Sequence, residues 1–464
     1  MGLTLVMSQR DLLKYLIANA HLSEKTLNKS NTEQVSDLDI RKSTGSFYTP
    51  IDVALFVWST VFDEVDGSDT RLKIRNFFRN YDVVEPSNGG GAFLFAYLSL
   101  LSDFDLLSEW QASRQAIFAN DLNSVAVSEF SKKIQELGLS EKFHFINQDG
   151  RAFLENLDTD LKPCIIGNPP YFRQKFKRGS NNFVDIYADF VDRSLDKIVN
   201  GSGLASLLVP LSITFSKDFI QLRTKILEAE LKKTFVNFDN MPDYVFKQGK
   251  SDSTNTNKAI SQRITLVNLN AGRQNKTYST PLISWRSAER SKIFSERKSY
   301  FEANAIGRQK IIPKPVDKEQ ITLLTQAQNL NRFVCSQSCC ETARLFFGTT
   351  ARNFLSVGLV KFRETGISSL DFENAETRDA IFYYLASRKA WQCWQALGDG
   401  FHVTKTTLYL LPVPKTLSDN LAGYAEKGKH LWSERQKFEG KKVNQGRTNS
   451  FFNFVGATDF CVPD

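Results

Sequence analysis

Between residues 80 and 270, short apolar runs alternate with amphipathic stretches, and four of the runs stop on or just short of an acid or an amide. This rhythm limits the possible folds more than any other feature of the chain. Strands are predicted at Tyr81–Val84, running into Glu85; at Ala116–Ala119, ending at Asn120-Asp121; at Phe143–Ile146, ending near Asp149; and at Cys164–Gly167, ending at Asn168. Helical spacing predicts an apolar helix from Ala92 to Leu101. A second is predicted over Asp185–Val199, with Ile186, Phe190, Leu195 and Ile198 as its inner face. Leu204–Val209, Thr234–Phe238 and Ile264–Leu269 complete the set of strands. Alternation of this kind calls for a mostly parallel sheet covered by helices on both faces. Ligands of such sheets sit beyond the carboxyl ends of the strands, so the polar strand ends predict one shared site.

The flanks differ. Residues 8–21 read as a helix through Leu12, Leu13, Leu16 and Ile17, and a polar stretch leads to Gly45-Ser46-Phe47-Tyr48-Thr49-Pro50. Pro50 suits the first turn of a helix, with Thr49 as its N-cap. Phe246–Ala259 brackets a polar insertion that reads as a loop. Residues 271–300 read as a polar linker, and 301–464 as a second domain rich in aromatic and basic residues. The expected division is a 1–40 helical extension, a 41–270 catalytic domain, the 271–300 linker and the 301–464 domain. At 464 residues the chain is long enough for two or three domains.

Lys and Arg outnumber Asp and Glu by 59 to 51, a modest excess that favours an anionic partner such as nucleic acid. The apolar start carries no basic n-region, and no apolar run approaches a membrane span, so a cytoplasmic protein is expected. The six cysteines are scattered, which suits a reducing compartment. Cys335, Cys339 and Cys340 cluster but have no matching second pair, and the four histidines lack zinc-finger spacing, so no metal is expected.

Each polar strand end has both a bland reading and a chemical one. Gly89-Gly90-Gly91 serves a tight strand-to-helix turn, or lets backbone approach a ligand at a helix N-terminus. Asp121 caps a helix, or grips ribose hydroxyls. Asp149 is a turn residue, or accepts from an adenine amino group. Asn168-Pro169-Pro170-Tyr171 offers an amide oxygen and a carbonyl to a planar NH2 group, with a ring to stack upon it. The two prolines fix φ and remove backbone donors from that edge. Arg173, Lys175, Lys177 and Arg178, interleaved with Phe172 and Phe176, form either a solvated loop or a phosphate-contacting one.

Taken in order, these segments resemble the N6-adenine DNA methyltransferases of restriction-modification systems, in the arrangement with cofactor motifs first and a target-recognition domain last. The resemblance covers about residues 40–270. Tyr48-Thr49-Pro50 looks like the opening cofactor motif. Glu85-Pro86-Ser87-Asn88-Gly89-Gly90-Gly91 looks like the glycine motif, with Asn88 where Cys is frequent. Asn120-Asp121 and Gln148-Asp149 stand at the two acidic positions, and Asn168-Pro169-Pro170-Tyr171 matches the catalytic motif. Asp185–Phe190, Val209-Pro210 with Arg223, and Tyr244-Val245-Phe246 resemble the elements that follow.

The resemblance implies a Rossmann-like S-adenosylmethionine-dependent methyltransferase sheet with a separate C-terminal α+β target-recognition domain. It implies S-adenosylmethionine held by Tyr48, Thr49, Glu85, Pro86, Gly89, Gly91, Asp121 and Asp149. It implies a flipped adenine gripped by Asn168, Pro169, Pro170 and Tyr171 and stacked between Tyr171 and Phe246. Double-stranded DNA, touched by Arg173, Lys175, Lys177 and Arg178, is the expected partner. A separately encoded endonuclease is plausible, and a monomer is expected. His402, in Gly398–Lys405, is expected to be structural or DNA-contacting. The alternatives are glutamine-N5 methylation of a protein, a fused nuclease-methylase and a silent DNA-binding module. The first is disfavoured by the Tyr48-Thr49-Pro50 motif and the large region after 300. The second lacks a convincing nuclease pattern, with too few residues before the first motif. Asn168 and the cofactor acids stand against the third.

Overall fold

The structure, a computed structural model, describes residues 11–16, 49–158, 160–178, 181–246, 262–296, 298–326, 328–335, 343–444 and 447–458. Side chains of 176–184, 326 and 444–448 are outside that description. The chain divides into two compact units. One runs to Tyr278 and takes in Ile283–Lys298; the other comprises Ser279–Leu282 and Ser299 onward.

The strands of the first unit are β1 (Asp82–Glu85), β2 (Ile117–Asn120), β3 (Phe143–Ile146), β4 (Pro163–Gly167), β5 (Arg173–Arg178), β6 (Asn181–Asp185), β7 (Leu204–Pro210), β8 (Lys232–Phe238), β9 (Ile264–Asn270) and the two ends of β10 (Lys276–Ile283), whose middle, Ser279–Leu282, counts with the second unit. Its main sheet runs in the order β10-β8-β9-β7-β4-β1-β2-β3. Pairings β7–β4, β4–β1, β1–β2 and β2–β3 are parallel. β9 lies antiparallel between β7 and β8. Every residue of β4 is buried, as expected of a central strand covered on both faces.

Helices α1 (Ile51–Asp63), α2 (Thr70–Asn80), α3 (Ala92–Asp103), α4 (Ser124–Glu136), α5 (Gly150–Glu155), α6 (Ile186–Gly201), α7 (Ile220–Glu228) and α8 (Arg290–Ser295) accompany the sheet. Residues Phe93–Leu98 of α3 are all buried, which marks a helix inside the core and not on its surface. Trp58 of α1 stacks on Tyr97 of α3 at 4.6 Å and donates its indole N–H to Phe93 O. Gln115 satisfies the other polar tips there: its Oε1 accepts from Tyr97 and Trp110, and its Nε2 donates to Tyr81 O.

Three sequence expectations change. Pro50, not Thr49, occupies the N-cap of α1, so the helix begins one residue later than its Pro-at-first-turn pattern suggests. Residues 271–300 are no mere linker. They form β10 and α8, because polar positions on a half-exposed strand hide its period. The basic run after Tyr171 is a ribbon, β5 paired antiparallel with β6, and not an open loop. Helix α2 also has little apolar signal; only Ile74, Phe77 and Phe78 are buried, and Asp69 caps it through Leu72 N.

The second unit holds a three-stranded antiparallel sheet, Arg344–Gly348 between Val357–Gly358 and Ile367–Asp371. Helix Ala375–Leu385 packs closely on Leu421–Ser433, since a Cβ at Gly428 would strike Asp379 O. Phe382, Trp432, Phe452 and Phe454 form its aromatic core. Cys339 and Cys340 lie outside the described residues.

Candidate active site

The strand order reverses at β1. From there β2 and β3 extend to one side and β4 and β7 to the other. A crevice beyond the carboxyl ends opens at such a point. Glu85 ends β1, and Asn168 follows β4. A Cβ built on Gly167 would lie 3.8 Å from Pro86 Cδ and 3.9 Å from Glu85 Cγ, so the two strand ends touch. Ser87 Oγ lies 3.5 Å from Asn168 O across the same gap.

Side-chain amides and carboxylates knit the next strand ends to this one. Asn120 Nδ2 donates to Pro86 O and Gln148 O, and its Oδ1 accepts from Gln148 N. Asp121 accepts from Gly89 N at 2.7 Å and from Asn123 N at 2.8 Å. The glycine turn and the β2 acid are therefore one unit. Gly91 has φ +83°, and a Cβ there would collide with the Phe130 ring, so glycine is required twice over. Gly150 brings the β3 end against Pro86 O in the same way. Asp149 caps α5 through Arg151 N and pairs with the Arg151 guanidinium at 2.6 Å.

The acids differ sharply in electrostatics. Glu85 is buried, and burial, with the charge of Asp121 added, holds its pKa well above the ordinary value of 4.5. Among the described residues Glu85 Oε2 has no hydrogen-bond partner. A buried carboxyl in that state is a ready site for a cationic group, which would favour its ionised form. Burial also raises Asp121, against the backbone N–H groups that lower it. The hydrogen bond from Arg151 lowers Asp149.

On the acceptor side, Asn168 Nδ2 donates to Thr49 Oγ1 at 3.2 Å. This orients the amide with Oδ1 as its acceptor end. Tyr171 donates to Leu208 O at 3.2 Å, and burial pushes its phenol pKa well up. Its ring is edge-on to Tyr187 and 6.1 Å from Phe246 at a 54° tilt. Arg173 and Lys175 are exposed on β5. Tyr48 lies outside the described residues, as do the side chains of Lys177 and Arg178.

Thr49, Glu85, Pro86, Gly89, Asp121, Asn168, Tyr171 and Phe246 thus belong to one connected region of the first unit. Asp149 stands on the same edge but is committed to Arg151. His402 belongs to the second unit, exposed and bonded through Nδ1 to Asp399 Oδ2 at 2.6 Å. Sequence reasoning named Asn120 without giving it a role of its own, and missed Arg290. Asn120 is the bridge among three strand ends, and its place beside Asp121 could have signalled that. Arg290, which binds Asp52 and the carbonyls of Tyr244 and Val245, carries no local signal.

A mostly parallel sheet of this order, with one antiparallel insertion and an acid at its switch point, is Rossmann-like and matches the fold of S-adenosylmethionine-dependent methyltransferases. Residues 92–246 match the family model described as Eco57I restriction-modification methylase, about a third of the chain. The match takes in Asp121, Asp149, Asn168-Pro169-Pro170-Tyr171 and Phe246. Among solved structures, a chain of the DrdV–DNA complex is 12% identical with a TM-score of 0.49, over 95% of this chain and 62% of that one. A modification subunit of a putative type I restriction enzyme from Vibrio vulnificus is 15% identical with a TM-score of 0.44, over 65% and 63%. A putative class I S-adenosylmethionine-dependent methyltransferase from Listeria monocytogenes is 14% identical with a TM-score of 0.42, over 63% and 79%. No curated protein matches the chain. Among the described residues no helix is long and apolar enough to cross a membrane.

Proposed function

We propose that this chain is a site-specific DNA methyltransferase acting on N6 of an adenine turned out of duplex DNA, as the modification enzyme of a restriction-modification system. The observation that carries this reading is the position of Asn168 at the switch point, in contact through Gly167 with the strand end of a buried, cation-seeking Glu85.

Bound S-adenosylmethionine would supply an electrophilic methyl group on a sulfonium. Glu85 would hold its ammonium end, directly or through water, with Thr49, Pro86 and the Gly89–Gly91 turn nearby. Asp121 would take the ribose hydroxyls, using acceptor sites beyond those occupied by Gly89 and Asn123. Asp149 would take the adenine amino group while keeping Arg151. The buried Glu85 and the glycine turn fit such a group.

Asn168 Oδ1 and the Pro169 carbonyl would accept the two N6 hydrogens. That turns the nitrogen lone pair out of conjugation and towards the methyl. Two fixed acceptor dipoles then face the positive charge that develops on nitrogen, and one proton departs to water once the N–C bond has formed. In-line placement supplies much of the rest of the rate. Thr49 contributes by fixing which end of the Asn168 amide faces the base. Tyr171 and Phe246 would stack on the adenine. A base between them needs about two van der Waals spacings, roughly 7 Å. The rings stand 6.1 Å apart and tilted, so the target enters as they part. Arg173 and Lys175 would meet phosphates beside the pocket, with Lys177 and Arg178 in the same ribbon. The second unit would recognise the sequence, and the enzyme would work as a monomer beside a separate endonuclease.

The test is transfer of labelled methyl from S-adenosylmethionine to unmethylated duplex DNA and, in parallel, to cellular protein. Label appearing as N6-methyladenine within one DNA sequence is expected. Label on protein glutamine, or none on DNA, would overturn the reading.

A further inference from the structure

Arg290 lies 238 residues from Asp52 in the chain, yet its guanidinium meets the Asp52 carboxylate in a two-point contact, at 2.7 and 3.1 Å. The same group donates to Tyr244 O at 3.2 Å and Val245 O at 2.8 Å. It sits 4.9 Å above the Phe294 ring, and Phe294 is itself wedged edge-on against Phe56 and Trp285. Arg290 is thus fixed from below by packing and spends its donors on two separate segments.

Those segments lead to the two sides of the acceptor pocket. Asp52 stands in the first turn of α1, three residues after Thr49, whose hydroxyl holds the Asn168 amide. Val245 precedes Phe246, whose ring is the neighbour of Tyr171. The path Asn168–Thr49–Asp52–Arg290–Val245–Phe246–Tyr171 thus joins the two sides through hydrogen bonds and a ring contact, linked by short stretches of chain. On that path Arg290 binds both sides through side-chain hydrogen bonds, to Asp52 on one and to the Tyr244 and Val245 carbonyls on the other. Lysine cannot copy it, because only a planar fork reaches a carboxylate and two carbonyls at once.

We infer that Arg290 is a positioning residue that sets the Tyr244–Phe246 segment against the acceptor pocket, using Asp52 as its anchor on the Thr49 side. The inference rests on the methyltransferase reading above. It predicts that losing Arg290 weakens base capture and the chemical step while leaving the donor side intact.

The experiment compares wild type, Arg290→Met, Arg290→Lys and Asp52→Asn, using the full chain. The methylated position is first mapped with wild type, and DNA carrying 2-aminopurine there then reports base flipping by fluorescence. For Arg290→Met, kcat should fall by on the order of 10- to 100-fold and the 2-aminopurine signal should drop. S-adenosylmethionine affinity without DNA should stay within about twofold. Arg290→Lys should recover part of kcat, and Asp52→Asn should show the same pattern more weakly. Should Arg290→Met fail to fold, those two variants decide the matter. Unchanged kcat and flipping in the folded variants would overturn the inference, as would a loss of cofactor affinity parallel to the loss of kcat. Wild type that places no label in DNA overturns the methyltransferase reading, and this inference with it.

Discussion

The two sides of the pocket are built differently. On the donor side, Glu85, the glycine turn and Asp121 sit on neighbouring strand ends tied together by hydrogen bonds between the Asn120 and Asp121 side chains and the backbone of the adjoining strand ends. On the acceptor side, Tyr171 and Phe246 come from segments held by long-range contacts, and their rings rest on each other. On the proposed function, the first is preorganised for a charge, and the second would have to part to admit its ligand. Changes on the donor side should therefore appear in cofactor affinity, and changes on the acceptor side in turnover and DNA capture.

The largest break in this contrast comes where the sides meet. Asn168→Ala removes the acceptor aimed at the amine and should lower kcat by about 10²- to 10³-fold. Gel-shift affinity for DNA should be nearly retained; undiminished turnover would refute the role.

Next is Glu85→Gln, which should cost about 1.5–3 kcal/mol of S-adenosylmethionine binding, measurable by calorimetry, because a charge-assisted contact is lost. Wild-type affinity should fall as pH drops through the raised pKa of Glu85, since gripping a cation requires the proton to leave; the variant should lack that step. Stability should respond in the opposite sense. A carboxyl whose pKa is raised in the fold is tolerated below its unfolded value and becomes a liability as pH climbs through the folded one. Without cofactor, Glu85→Gln should melt at a higher temperature than wild type at pH 8, and the gap should close at acid pH.

Phe246→Leu keeps apolar volume but loses the stacking face. It should weaken target-base capture by about 1–3 kcal/mol in 2-aminopurine titrations, with cofactor affinity unchanged. The smallest effects belong to Arg173→Ala and Lys175→Ala. Each should weaken DNA binding a few-fold and flatten the salt dependence of binding by about one ion, whatever the DNA sequence. A loss confined to one sequence would mean base reading instead.

Legibility in the sequence followed the range of the interactions. The strands from β1 to β4 and the helix α3 declare themselves within a residue or two, because each is a short apolar run stopped by polar or glycine residues. The acids and amides at their ends were equally visible. Thr49 was readable as important but not in its role: it holds Asn168 from outside the helix it seemed to cap. The β5–β6 ribbon and β10 were hidden because their sequences carry little apolar alternation.

By itself, the sequence determined the βαβ rhythm, the polar strand ends and the order of motifs, since hydrophobic periodicity and turn chemistry act over a few residues. Only the tertiary structure decided that Glu85 is buried enough for its pKa to rise, that Asp149 is already paired with Arg151, and that Arg290 reaches back to Asp52. Desolvation and long-range ion pairing depend on which distant segments the packed core brings together, and no local pattern records that.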